Sequence, residues 1–228
     1  MGDLVKSLER KRAERELRDL TAGQNAGQAL EGLRPGCELF GFTVGQFSLI
    51  NLLIVALEKT GPADVTLTTW TAARKEIGDA NRLLRSGFLR SIRFLVDYSF
   101  PRRQPAYCKL LRDRFGDESI RLSKCHAKFI LIRNDGWNLV IRTSMNLNKN
   151  ARFEQFEVSD DLAMADYLEG VVDRVFTRTA ADETFELRPQ EHKDRFEGFG
   201  STVQSLEDYS HWGASLDDPS KPGTERLF

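Results

Sequence analysis

The stretch Cys125-His126-Ala127-Lys128-Phe129-Ile130-Leu131-Ile132, read with Thr143-Ser144-Met145-Asn146, decides how the chain is understood. The first run turns from polar to almost wholly apolar, the pattern of a strand buried on both faces. Residues two apart on a strand project to the same side. His126 and Lys128 are therefore expected to point together. The second run closes another apolar segment, Leu139-Val140-Ile141-Arg142, and sets Ser144 and Asn146 two apart. Between the runs lies Asn134-Asp135-Gly136, a tight-turn signal. A hairpin follows, with a His/Lys pair and a Ser/Asn pair brought together.

Working outward, strands and helices alternate. Leu39–Thr43 reads as a short strand and Ser48 as the N-cap of a helix through Lys59. Val65–Trp70 and Ser91–Asp97 read as strands, with helices at Ala72–Leu84 and Gln104–Phe115 and a short strand at Ser119–Leu122. Beyond the hairpin, Phe153–Val158 extends. A helix over Asp160–Ala181 follows, with Leu162, Met164, Leu168, Val171, Val172 and Val175 as its apolar stripe. This alternation predicts an α/β sandwich whose central mixed β-sheet is flanked by helices. Trp70, Phe94 and Phe129 are expected in its core.

The flanks read differently. Residues 3–20 are dense in charge and suggest an exposed or partner-binding helix, and 21–35 suggest a linker. The expected division is therefore 1–36 as N-terminal helix and linker, 37–188 as the α/β domain, and 189–228 as an acidic, flexible tail. Charge is uneven along the 228 residues: Thr71–Arg114 carries 11 Lys/Arg against 4 Asp/Glu, and Glu157–Phe228 carries 7 against 17. A basic middle segment fits a polyanionic partner. No run approaches the ~18 apolar residues of a membrane span, and no signal-peptide core opens the chain. Cys37, Cys108 and Cys125 have no metal-like spacing and suit reduced thiols. A cytoplasmic setting, with no membrane, metal or cofactor, is the expectation.

His126-Ala127-Lys128 followed by Thr143-Ser144-Met145-Asn146 resembles the His-x-Lys…Gly-Ser-x-Asn signature of the phospholipase D superfamily. Glu154, at the start of the next extended segment, resembles the acidic residue that follows the motif. The resemblance spans about 39–181 and implies one lobe of that fold per chain. Two positions depart from the pattern: Arg133 stands where the family has Asp, and Thr143 where it has Gly.

The resemblance implies a metal-independent phosphodiesterase, most often a nuclease acting on DNA or RNA. His126 would attack phosphorus. Lys128 and Asn146 would hold the non-bridging oxygens. Glu154, with Glu157 second, would orient the imidazole, and Ser144 would support it. Thr143 and Arg152 are candidate substrate contacts, and Arg74, Lys75, Arg102 and Arg103 could extend a phosphate path. The chemistry needs a second histidine as general acid, but His192 and His211 have no partnering lysine. A homodimer joining two His126 side chains is therefore implied. The alternative reading is a catalytically weak or inactive domain that binds nucleic acid or serves assembly, with the N-terminal helix or the tail contacting a protein partner. Arg133 favours that alternative.

Overall fold

The computed structural model describes residues 15–19, 25–149 and 151–194. One eight-stranded sheet organises them, in the order β1-β2-β8-β7-β6-β3-β4-β5. The strands are β1 Arg15–Asp19, β2 Glu38–Thr43, β3 Ala63–Thr69, β4 Leu89–Asp97, β5 Ile120–Ser123, β6 Phe129–Asn134, β7 Trp137–Thr143 and β8 Glu154–Asp160. Parallel pairs form each end of the sheet (β1/β2, and β3/β4/β5). Antiparallel pairs join β2, β8, β7, β6 and β3 in the middle. The mixed α/β sandwich expected from the sequence is the fold observed.

The helices are α1 Ala26–Ala29, α2 Leu49–Thr60, α3 Arg74–Arg85, α4 Phe100–Arg103, α5 Pro105–Phe115, α6 Leu162–Arg178 and α7 Pro189–Asp194. The apolar runs of β6 and β7 divide between two cores because strand side chains alternate. Ile130, Ile132, Leu139 and Ile141 enter the large core, which also takes in Leu52, Leu53, Ile77 and Leu111 from α2, α3 and α5. Phe129, Leu131 and Val140 enter a smaller one with Ala165, Val172 and Val175 of α6. Each fully buried aliphatic side chain contributes about 1.5–3 kcal/mol, so a polar residue inside either run would be costly. The Asp135-Gly136 loop joins β6 to β7, with Asn134 Oδ1 accepting from Gly136 N at 3.0 Å. Gly61 and Gly116 end α2 and α5 at positive φ (79° and 75°), a region glycine enters without steric cost.

Several expectations are corrected. Arg15–Asp19 is not helical: it is an edge strand, parallel to β2. Gly41 makes room for it, since a Cβ there would stand 2.8 Å from Arg18 Cβ and 2.7 Å from Phe156 Cζ. Within the supposed linker, α1 packs Ala26 and Ala29 into the large core, as does Leu30 beyond it. On α6, Leu162 is exposed and Ala165 takes a buried place. The rest of the expected N-terminal helix and the tail beyond residue 194, including His211, lie outside the described residues. Among the described residues no helix is long and apolar enough to cross a membrane.

Candidate active site

Four neighbouring strands end at one edge of the sheet. β3 and β7 finish there, while β6 and β8 begin there. His126 and Lys128 lie just before β6, in irregular backbone and not in the strand itself. The Lys128 carbonyl nevertheless still pairs with Thr143 N at 3.1 Å. That contact holds the segment at the mouth of the hairpin. His126 is exposed and Lys128 partly buried. Their side chains do meet: Lys128 Nζ is 2.9 Å from His126 Nδ1. Nζ is also 3.4 Å from Nε2, and because an ammonium only donates, the imidazole serves as its acceptor. Burial lowers the Lys128 pKa, and Cys125 and Glu154 oppose that shift.

The loop after β7 is held by its own polar side chains. Thr143 Oγ1 donates to Gln155 O at 2.6 Å and accepts from Met145 N at 3.0 Å. This hydroxyl is therefore committed to the loop, which corrects its assignment as a substrate contact. Ser144 Oγ accepts from Gln155 N at 3.0 Å and donates to Glu154 Oε2. Leu147 N donates to Thr69 Oγ1 at 3.0 Å, and Ala73 N donates to Leu147 O at 2.9 Å. Together these bonds fasten the loop to the end of β3 and the start of α3. Asn146 Oδ1 accepts from Trp70 N at 3.1 Å. That contact fixes the amide and leaves its two Nδ2 donors without a partner among the described residues.

The carboxylates differ from expectation. Glu154 accepts from Ser144 and makes no hydrogen bond to His126. Its charge acts on Lys128 instead. Glu157 pairs with Arg142, its cross-strand neighbour on β7, and is withdrawn from the site. Arg152 is exposed. Lys75 is tied to Asp79 at 2.7 Å.

Trp70 is the residue missed by sequence reasoning. It is half-buried, just beyond β3, and not a core side chain. Its ring centroid lies 5.9 Å from that of His126. The Arg103 guanidinium sits 3.6 Å from the Trp70 ring centroid and donates to Trp70 O at 2.8 Å. Trp70 thus contacts both the imidazole and, through cation–π contact, a guanidinium. The available signal was position: Trp70 ends a strand, and α/β sites gather beyond the carboxyl ends of strands.

Arg133 stands at the other end of β6, about 16 Å along the strand from Lys128. It pairs with Asp166 at 2.7 Å and Glu169 at 2.5 Å on α6. The departure from the family pattern therefore serves packing of α6 and does not touch the candidate site.

No family model matches the sequence, and neither does any curated protein. Among solved structures, the chain is similar to Nuc, a phospholipase D family member from Salmonella typhimurium, at 12% identity and TM-score 0.46, over 61% of this chain and 93% of that one. It is also similar to NucT from Helicobacter pylori, at 15% identity and TM-score 0.44, over 60% and 96%. A third similarity is to phosphatidylserine synthase from Haemophilus influenzae, at 14% identity and TM-score 0.43, over 78% and 45%.

Proposed function

We propose that this chain is a phospholipase D-like phosphodiesterase, acting as a nuclease through a phosphohistidine intermediate in a homodimeric site. The observation that carries the reading is the convergence of His126, Lys128 and the fixed Asn146 amide at one sheet edge. An anionic phosphoryl group draws Lys128 Nζ away from the imidazole. Lys128 and Asn146 Nδ2 then bind its non-bridging oxygens, where charge gathers in the transition state. A ring nitrogen of His126 attacks phosphorus; the N–P bond forms and the P–O bond to the leaving group breaks. A general acid protonates that oxygen. Water then attacks phosphorus, gives its proton to the same group now acting as base, and the N–P bond breaks.

Within one chain no second histidine among the described residues accompanies His126. Buried His192 packs against Tyr98, with ring centroids 5.5 Å apart. A second copy of His126 supplies the acid in a two-fold dimer. Glu154 Oε1 makes no hydrogen bond among the described residues, so it is available to orient an imidazole once the dimer forms. Phe153 is 69% exposed beside Glu154 and stacks on Phe42 with centroids 4.7 Å apart. This apolar surface next to the site supports association.

The test is cleavage of single-stranded DNA, RNA and plasmid in EDTA, with His126→Ala in parallel. Wild-type cleavage that falls at least about a thousandfold in the variant is expected. Mixtures of wild-type and variant chains should lose activity as the square of the wild-type fraction. A linear loss means each chain works alone, which defeats the shared site. Absence of cleavage on every substrate defeats the catalytic reading.

A further inference from the structure

Outside the His126 site, one cleft concentrates unpaired positive charge. It lies between α3 and α5, has a volume of about 300 Å³, and is lined by Arg74, Gly78, Asn81, Arg85 and Arg114 among others. On α3 these residues follow helical spacing, so Arg74, Gly78, Asn81 and Arg85 form one stripe. No carboxylate lines the cleft. Of the other acids on or beside these helices, Glu76 is buried, Asp79 pairs with Lys75 and Arg82, Asp113 with Lys109, and Asp117 with Arg112. Arg74, Arg85 and Arg114 have no hydrogen-bond or ion-pair partner among the described residues. Such an arrangement costs stability through like-charge repulsion, offset only in part for Arg85 and Arg114 by their places in the last turns of α3 and α5.

Gly78 gives an independent indication. A glycine inside a helix costs about 1 kcal/mol relative to alanine. Gly78 does not have a positive φ. A Cβ there would meet nothing within 4 Å. Neither backbone conformation nor packing requires the glycine. Its effect is to leave the floor of the arginine cleft without a side chain, where an incoming backbone can approach closely.

The cleft is also connected to the candidate active site. α3 begins at Arg74, directly after Ala73, whose N–H donates to Leu147 O in the loop carrying Asn146. Arg103 is stacked on Trp70, whose N–H donates to Asn146 in the same loop. From Arg74 to Arg85 the helix advances about 17 Å, the length of about five stacked nucleotides in one strand. A cleft of this volume has room for the phosphate–sugar backbone of one strand.

We propose that the α3/α5 cleft binds the phosphates of a single nucleic-acid strand running from His126, with Arg74, Arg85 and Arg114 as its anion contacts. The substrate class rests on the phosphodiester reading above. The readout is binding by a chain that cannot turn over, so a catalytic failure does not mimic a binding failure.

Fluorescence anisotropy of a labelled 15-nucleotide single strand in EDTA, with His126→Ala protein, tests the assignment. Adding Arg85→Glu and Arg114→Glu should weaken binding at least about tenfold. It should also make the salt dependence shallower by about 1.4 in log–log slope, at about 0.7 per lost phosphate contact. Arg85→Gln with Arg114→Gln, which introduces no new charge, should shift both quantities in the same direction and keeps the test valid if the reversal variant misfolds. Lys109→Glu, on α5 but outside the cleft lining, should change affinity less than twofold. A duplex of the same length should displace the strand poorly. Unchanged affinity and slope in the cleft variants would overturn the proposal, as would an equal loss in Lys109→Glu or equal competition by duplex.

Discussion

At one end of β6, Arg133 is held by two carboxylates of α6; at the other, His126 and Lys128 face each other without a carboxylate bonded to either. The closed end is a network. Arg93 and Arg133 share Glu169, and Asp166 and Asp173 complete the set. The three acids fall at i, i+3 and i+7 of α6, one face of the helix. Polar groups there bind one another and hold α6 onto the sheet. At the open end, Lys128 loses hydration by burial and finds only an imidazole nitrogen, while the Asn146 amide holds two donors without acceptors. Groups positioned by bonds to backbone but left short of acceptors are prepared for an anion. The difference separates charge that holds the fold from charge that awaits a ligand, at the two ends of one strand.

That contrast can be broken experimentally. Beyond His126 itself, the largest expected effect is at Asn146. Asn146→Ala removes both phosphate donors and the bond to Trp70 N, and should lower kcat about a hundredfold in single-turnover cleavage. If kcat is unchanged and only KM rises, Asn146 merely binds the ground state.

Next comes Arg133→Asp, which installs the residue the family pattern carries. In this chain it sets a third carboxylate against Asp166 and Glu169. The ion pairs are partly solvent-screened, so the expected loss is about 2 kcal/mol. Thermal unfolding should fall by about 4–8 °C. A rise in Tm would show that α6 does not depend on the network.

The smallest effect concerns pH. Lys128 must be protonated to hold phosphate, and burial brings its pKa below the ordinary lysine value. Activity should therefore decline, as pH rises, at a lower pH than an unperturbed lysine would give. Lys128→Arg should move that alkaline limb upward or abolish it, because a guanidinium stays charged. An alkaline limb unmoved by the substitution would assign it to another group.

Much of this fold was legible beforehand, for a physical reason. β6 and β7 carry apolar runs that a doubly covered sheet accommodates, β3 is rich in β-branched residues, and α2 and α5 end at glycines whose backbone freedom marks a stop. β1 was not legible. Arg15-Glu16-Leu17-Arg18-Asp19 has a charged composition that suits a helix as well as a strand. Its strand state comes from parallel pairing with β2, a partner about twenty residues away. Trp70 was misread because β-branched neighbours signal a strand but not where it ends.

By itself, then, the sequence determined the chemical inventory and its order. A histidine and lysine stand at the mouth of one buried strand, a serine and asparagine end the next, and an acid opens the one after. Local rules suffice for that, since strand periodicity and turn chemistry act over a few residues. The tertiary structure alone decided what each polar group does. It turned Thr143 into a loop clasp and committed Glu157 to Arg142. It also gave Arg133 to α6, put Trp70 in contact with both His126 and Arg103, and lined one cleft with three arginines. Those outcomes depend on which distant groups arrive within hydrogen-bonding reach, and no spacing along the chain specifies that.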